Sequence, residues 1–232
     1  MKLLLVDTAT SVCSVAVVDG TRLLAEVLIN RPGPSSSRLS ESVEQVMSFA
    51  GICLSDLDGF GVTTGPGAFT SVRVGLSTVK GLALATGKPV VGFSSLALLA
   101  ANFPWTVLPV CPLYDARKGE VYAGIYHSAA VPEVIQSDQV TSPEAFLALL
   151  TEKTLFVGDG AERYRVVIEE MLGEKAAFAP SWANVPRAAA AASLVLTMFA
   201  QDRGCTAAGL FPNYLRRSEA ETARHAATKT LA

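Results

Sequence analysis

The chain has 232 residues, 19 Lys and Arg against 21 Asp and Glu for a net charge of -2, and half of its residues are apolar while 17% are charged. That apolar content excludes a disordered polypeptide, and the balanced charge argues against a protein that grips nucleic acid through a basic face. The length suits one large domain or two of roughly 100 residues, each able to bury a core.

A mean hydropathy of +0.37 raises the question of a membrane. The apolar stretches Leu82 to Ala85 and Ala188 to Met198 fall short of the roughly 20 residues that a spanning helix needs. Asp7 interrupts Leu3-Leu4-Leu5-Val6 before it could form a signal-peptide core, so this run reads as a first strand and the chain as cytoplasmic, with no membrane partner. Cys13, Cys53, Cys111 and Cys205 form no close pair of the kind a zinc site uses. With only His127 and His225 to activate a thiol, the cysteines read as small apolar residues.

In chain order, Leu3 to Val6 is predicted as a buried strand, and Cys13 to Val18 and Leu23 to Ile29 as a hairpin about the turn Asp19-Gly20. After the break Asn30-Arg31-Pro32-Gly33-Pro34, Leu39, Val43, Val46, Met47 and Ala50 recur at helical spacing from Ser35 to the stop at Gly51. Phe60 to Thr63 is a strand. The turn Gly65-Pro66-Gly67 opens a helix from about Phe69 to Ala85, then Val90 to Phe93 is a strand and Ser94 to Asn102 a short helix. The second part predicts strands at Val107 to Tyr114, Glu120 to His127 and Val131 to Ile135, a helix at Pro143 to Leu150, a strand at Leu155 to Val157, and helices at Tyr164 to Leu172 and Ala188 to Ala200.

The two parts match. Leu5-Val6-Asp7-Thr8-Ala9 corresponds to Leu113-Tyr114-Asp115-Ala116-Arg117, and Thr64-Gly65-Pro66-Gly67-Ala68 to Val157-Gly158-Asp159-Gly160-Ala161. The expected fold is therefore α/β with two duplicated βββαβα-type subdomains, residues 1–103 and 104–232, the last segment able to pack back on the first. That plan belongs to the actin, hexokinase and heat-shock-ATPase (ASKHA) superfamily.

In such a plan the hairpin hydroxyls and amides surround nucleotide phosphate and the carboxylates hold magnesium through water. Asp7, Thr8 and Thr10 on the first hairpin, Asp115 and Arg117 on the second, and the Gly65 and Gly67 turn at a helix N-terminus are the candidate nucleotide cleft, vestigial in that Ala9 and Ala116 stand where glycine would admit a phosphate. The turn has neither the Walker nor the G-x-G-x-x-G spacing. The plainer role for both aspartates is to bond turn amides. Asp115-Ala116-Arg117-Lys118-Gly119-Glu120 is the densest charged cluster, read as a solvated turn or a cleft contact.

LLVDTATSVCSVAVV from Leu4 to Val18, GPGAFTSVRVGLSTVKGLA from Gly65 to Ala83, YDARKGEVYAGIY from Tyr114 to Tyr126 and PNYLRRSEAE from Pro212 to Glu221 resemble, in order and over nearly the whole chain, the TsaB (YeaZ) family. The resemblance implies an ASKHA fold and a non-catalytic relative of TsaD, the catalytic subunit that makes N6-threonylcarbamoyladenosine at position 37 of ANN-decoding tRNAs. It also implies assembly with TsaD and the TsaE ATPase, or with itself through the N-terminal helices, and only indirect contact with tRNA. No cofactor is implied for the chain alone; ATP or ADP with magnesium would belong at an interface with the catalytic partner. That partner holds its metal with two histidines on the first helix, and Ser35 to Ala50 contains none, including the histidine that many relatives carry near Ser35.

The helix pattern adds a surface. Ser71, Gly75 and Thr78 line one face of the second helix and Val72, Leu76 and Val79 another, so both faces need cover. Leu39, Val43, Val46 and Met47 with Ser71, Gly75 and Thr78 are the expected partner interface. The competing readings are a nucleotide-dependent phosphotransferase using Asp7 and Asp115, and a metallopeptidase, for which there is no HExxH and no histidine pair. A tail docked by Tyr214 and Leu215, ending in a frayed Ala-rich stretch, is expected at the C-terminus.

Overall fold

A computed structural model describes residues 1–31 and 36–216 of the chain. Ser35, the break at residues 32–34, Arg217, Glu219, Glu221, His225 and the Ala-rich end lie outside the described residues.

The first half is a five-stranded sheet of order β3-β2-β1-β4-β5, formed by β1 (Lys2–Asp7), β2 (Val12–Asp19), β3 (Arg22–Asn30), β4 (Gly59–Gly65) and β5 (Val90–Ser94). The second half repeats it with β6 (Val110–Arg117), β7 (Glu120–His127), β8 (Glu133–Thr141), β9 (Thr154–Val157) and β10 (Ala176–Phe178), in the order β10-β9-β6-β7-β8. In each sheet the first three strands pair antiparallel, and the first strand pairs parallel with the fourth and the fourth with the fifth. The duplication read from the motifs is thus a duplication of topology.

Both faces of the first sheet are covered, which is why β1 is an unbroken apolar run instead of an alternating one. Leu4 and Val6 face α1 (Ser36–Ala50) and α2 (Phe69–Thr86), in one core with Leu39, Val43, Val46, Met47, Val72, Leu76 and Val79. Leu3 and Leu5, with Ala16 and Val18 of β2, face Ala188, Ala191, Ala192, Val195 and Met198 of the 3-10 turn Ala188–Ala191 and α7 (Ala192–Ala200). The C-terminal helical segment therefore packs on the N-terminal sheet. Ser14 Oγ accepts the Ala188 N–H at 2.8 Å, and Glu26 accepts from Arg187 and from Ala189 N–H, pinning the segment there.

α3 (Ser95–Ala101) joins the halves. Leu98 lies in the α7 side of the first core, while Leu96, Leu99 and Ala100 pack with Val110, Tyr114, Tyr126 and Val157 of the second half. On its far face the second sheet is covered by α4 (Pro143–Leu147) and α6 (Arg165–Leu172), through Phe146, Leu147 and Ile168. A short α5 (Asp159–Arg163) precedes α6.

Several expected boundaries move in the second half. The third strand lies at β8, where ladder bonds to β7 hold a largely polar segment that has little apolar signal of its own. The predicted helix at Tyr164 begins earlier, with α5 and α6 meeting at Tyr164, and β10 is a three-residue strand that the sequence reading omitted.

Candidate functional site

The two halves enclose a cleft that holds a cavity of about 570 Å³, walled by the β1–β2 connection (Ala9, Thr10, Ser11), the β4–α2 turn (Pro66 to Phe69), the β6–β7 hairpin (Tyr114 to Arg117), Tyr122, Asp159 and the C-terminal residues Asn213 to Arg216. Four predicted residues, Thr10, Gly67, Asp115 and Arg117, meet in its wall. Asp7, Thr8 and Gly65 do not.

Asp7 ends β1 with no exposed surface. Its Oδ1 accepts the Thr63 hydroxyl at 2.7 Å and the Ala9 N–H at 3.2 Å, and Oδ2 has no partner among the described residues. Burial pushes its pKa up to about 6, against the lowering pull of those two hydrogen bonds. Thr8 is buried beside it and donates to the Ser71 carbonyl in α2 at 2.7 Å. Both residues thus fasten the hairpin to the core behind the cleft. Gly65, at φ +113°, is needed for a different neighbour: a Cβ there would come 2.8 Å from the Asn213 carbonyl.

The second hairpin is the exposed counterpart. Lys118 and Gly119 form its two-residue turn at φ 56° and 76°, the left-handed pair that a tight hairpin requires. Asp115 Oδ1 accepts the Arg117 N–H at 2.9 Å, and Oδ2 lies 3.5 and 3.6 Å from the Arg117 and Arg163 guanidinium groups. Asp115 N–H donates to Asp159 at 3.3 Å, so the hairpin is tied to the start of α5. Asp159 was visible in the sequence only as part of a glycine turn, and its place in the cleft follows from the duplication, because that turn is the counterpart of Gly65 to Ala68.

A polar clamp missed by sequence reading sits behind the cavity. Ser94, the N-cap of α3, accepts N–H bonds from Leu96 and Ala97 and donates to Asp138 of β8 at 2.5 Å. Tyr126 also donates to Asp138. Tyr114 donates to the Ser95 carbonyl at 3.3 Å, while Ser95 Oγ bonds the Pro66 carbonyl of the β4–α2 turn. Desolvation raises the Asp138 pKa, and its bonds from Ser94 and Tyr126 oppose that rise. Desolvation also raises the pKa of Tyr114, with the Asp7 charge adding to it. No local motif advertises this network because its members come from β5, α3, β6, β7, β8 and the β4–α2 turn.

The fit to a magnesium nucleotide can be tested on these contacts. Gly67 is pressed against the Ala9 carbonyl with no room for even a Cβ, so the turn offers no open cradle to a phosphate. Asp7 faces Thr63 and Ala9 and not the cavity. Among the described residues no three His, Cys, Asp or Glu side chains come together as a metal set. The residues do not fit the group in the manner of a kinase.

The residues of the expected partner interface divide between buried and half-buried positions. Leu39, Val43, Val46 and Met47 are buried in the chain's own core because α1 lies flat on the first sheet, and a Cβ on Gly75 would collide with the Thr8 hydroxyl. These five residues form no free surface. Ser71 and Thr78 are half-buried. The outward face of α2 is instead Thr70, Arg73, Ser77, Gly81 and Leu84, with Leu84 74% exposed and nothing within 4 Å of a Cβ on Gly81. On α1, which packs beside it, Phe49 is 72% exposed. Among the described residues no helix is long and apolar enough to cross a membrane.

Two copies of one five-stranded α/β unit with a cleft between them define an ASKHA-type protein. The family model for TsaD, tRNA N6-adenosine threonylcarbamoyltransferase, matches residues 34–224. The Bacillus subtilis (strain 168) tRNA threonylcarbamoyladenosine biosynthesis protein TsaB is 31% identical over 225 residues, covering 95% of this chain and 96% of its own length. YeaZ from Pseudomonas aeruginosa superposes with a TM-score of 0.76 at 29% identity, covering 92% of this chain and 100% of that one. A second Pseudomonas aeruginosa structure, described as an uncharacterized protein with similarity to peptidase YeaZ, gives 0.80 at 32% identity, with 93% and 99% covered. The chain belongs to the TsaB (YeaZ) family.

Proposed function

We propose that this chain is a non-catalytic scaffold subunit that docks on a TsaD-type catalytic subunit, in the bacterial assembly with a TsaE-type ATPase that makes N6-threonylcarbamoyladenosine at position 37 of ANN-decoding tRNAs. The observation that carries the reading is the outer face of α2, where exposed Ser77, Gly81 and Leu84 let a second backbone come close and Leu84 supplies apolar area to bury. The buried Asp7 and the closed Gly67–Ala9 contact support the non-catalytic part, since neither presents a reactive group to the cleft. The near-neutral charge suits a subunit whose tRNA is held chiefly by its partner. The same face would serve self-association in isolation, in competition with the partner.

Reconstitution tests the reading. Threonylcarbamoyl transfer to tRNA by TsaD-type and TsaE-type proteins is expected to depend on this chain, and Gly81→Arg, which enters open space, is expected to keep the fold while abolishing co-sedimentation with the TsaD-type subunit. Equal transfer without the chain would overturn the assignment.

A further inference from the structure

The C-terminal segment crosses from one half of the molecule to the other, and its course is fixed by contacts at Cys205, Leu210, Asn213, Tyr214 and Arg216. Cys205 and Val90 exchange backbone hydrogen bonds, each 2.9 Å, at the edge of the first sheet. Leu210 is buried over Gly92, where a Cβ would stand 2.9 Å from it. Asn213 N–H donates to the Thr64 carbonyl at 2.8 Å. Tyr214 stacks on Phe69 of α2 at 4.7 Å between ring centroids, and its hydroxyl accepts from Arg73 Nε at 2.7 Å. Two residues later Arg216 donates to the Ala116 carbonyl at 2.7 Å and pairs with Glu120, both on the second hairpin. Residues Asn213 to Arg216 are therefore a strap from α2 to β6–β7, and they form one wall of the interdomain cavity.

The fastening at the α2 end is shared with the outer face. A shallow groove on that face is lined by Phe69, Thr70, Arg73, Val74, Ser77 and Thr78. Phe69 thus separates the groove from the cavity, with Tyr214 on its cavity side and the Arg73 guanidinium 3.7 Å from its ring centroid. Arg73 is exposed and is the sole cation among the groove's lining residues. Its hydrogen-bond partner in the strap is a phenol, which offers one oxygen and no charge, whereas a carboxylate would add opposite charge and a second acceptor for the guanidinium fork.

We propose that the strap is a latch released by docking: a partner seated on the α2 groove presents a carboxylate to Arg73, draws it from the Tyr214 hydroxyl, and so frees the strap and opens the cavity. This rests on the reading of the α2 face as the docking surface for the TsaD-type subunit, and adds to it the chemistry of one contact and a route from that face to the cleft. The route is short, since only Arg73 and the Phe69–Tyr214 stack stand between the groove and the cavity wall.

Hydrogen exchange of the full-length chain, read on peptides covering Phe211 to Arg216 with and without a saturating TsaD-type subunit, tests the latch. Exchange at Asn213 is expected to rise roughly tenfold on binding, as for a segment moved from a protected to an open state. Tyr214→Phe keeps the ring stack and removes the acceptor, so it is expected to show raised exchange without partner and to bind the partner roughly tenfold more tightly, the low end of what one hydrogen bond to a charged group supplies. Arg73→Gln is expected to loosen the strap and also to weaken binding. Binding with unchanged or lowered exchange, or Tyr214→Phe affinity equal to wild type, overturns the latch and leaves the docking reading standing. Absence of binding by the wild-type chain overturns both.

Discussion

Gly67 stands against the Ala9 carbonyl so closely that the β4–α2 turn and the β1–β2 connection touch backbone to backbone. The Ala68 N–H donates to the same carbonyl at 2.8 Å, so the contact is also a hydrogen bond across the two loops. In the second half, Gly160 meets the backbone of Leu113 and Tyr114, with 2.9 Å left for a Cβ. The matched Gly67 and Gly160 are thus explained by close backbone approach, to the β1–β2 connection in the first half and to β6 in the second.

This gives a pair of alanine substitutions with opposite signs. Gly67→Ala forces a methyl group into backbone that cannot rotate away, and is expected to destabilise by about 1–3 kcal/mol. Gly81→Ala adds its methyl to the open outer face of α2 and is expected to stabilise by roughly 0.5–1 kcal/mol, because alanine loses less freedom than glycine in a helix. Urea unfolding of both variants decides the matter; shifts in the same direction would contradict the packing described.

Asp7 makes a prediction about pH. In the folded chain its carboxyl takes up a proton at about 6, and in the unfolded chain near 3.8. Between those values the folded state holds the extra proton, so this group's contribution to stability falls as pH rises from 4 through 6 and is constant above. The difference corresponds to a cost on the order of 3 kcal/mol at neutral pH. Asp7→Asn retains an acceptor for Thr63 and Ala9 but cannot ionise. Its stability relative to wild type is expected to improve by that order between pH 4 and pH 7, measured by denaturant titration at each pH. A relative stability flat across this window would show that Asp7 ionises without penalty where it lies.

Much of the first half was legible because its signals are local. The run Leu3 to Val6, the Asp19-Gly20 turn and the stop at Gly51 each act within a few residues, and the strands and helices fall there. What could not be read was which surface covers which. The stripe Leu39, Val43, Val46 and Met47 has the same spacing whether it meets the chain's own sheet or a second protein, and the sheet covers it. Likewise the Ala-rich segment from Ala188 fits any flat apolar surface. Its assignment to the first sheet depends on Ser14 and Glu26, 174 and 163 residues away, as acceptors for its first N–H groups. Asp7 and Asp115 are equivalent by motif and opposite in environment, one sealed behind Thr63 and the other held by two arginines at the cleft.

The Ser14 contact is itself testable. Ala188 N–H opens the 3-10 turn before α7, is buried, and has the Ser14 hydroxyl as its acceptor. Ser14→Ala leaves that donor without a partner in an apolar layer, which costs about 1–3 kcal/mol. Thermal unfolding should show the loss. A variant as stable as wild type would mean that the turn can shift to satisfy the donor elsewhere.

Thiol labelling tests whether the halves unfold together. Cys13 of β2 and Cys111 of β6 are buried in different sheets, Cys53 is exposed and Cys205 is half-buried. Desolvation raises the pKa of both buried thiols, which further slows attack by an alkylating reagent while the chain is folded. Cys53 is therefore expected to react first and Cys205 next, with Cys13 and Cys111 reacting only through opening of their cores. α3 places Leu98 in the first core and Leu96 and Leu99 in the second, and the Ser94–Asp138 bond anchors its first turn to the second sheet. Opening either sheet therefore strips α3 of cover on one side. Cys13 and Cys111 are expected to be modified at closely similar rates, each tracking the global unfolding free energy, as read by mass spectrometry of peptides from both strands. Modification of Cys111 many-fold faster than Cys13 would mean that the second half opens alone and that α3 does not couple the two sheets.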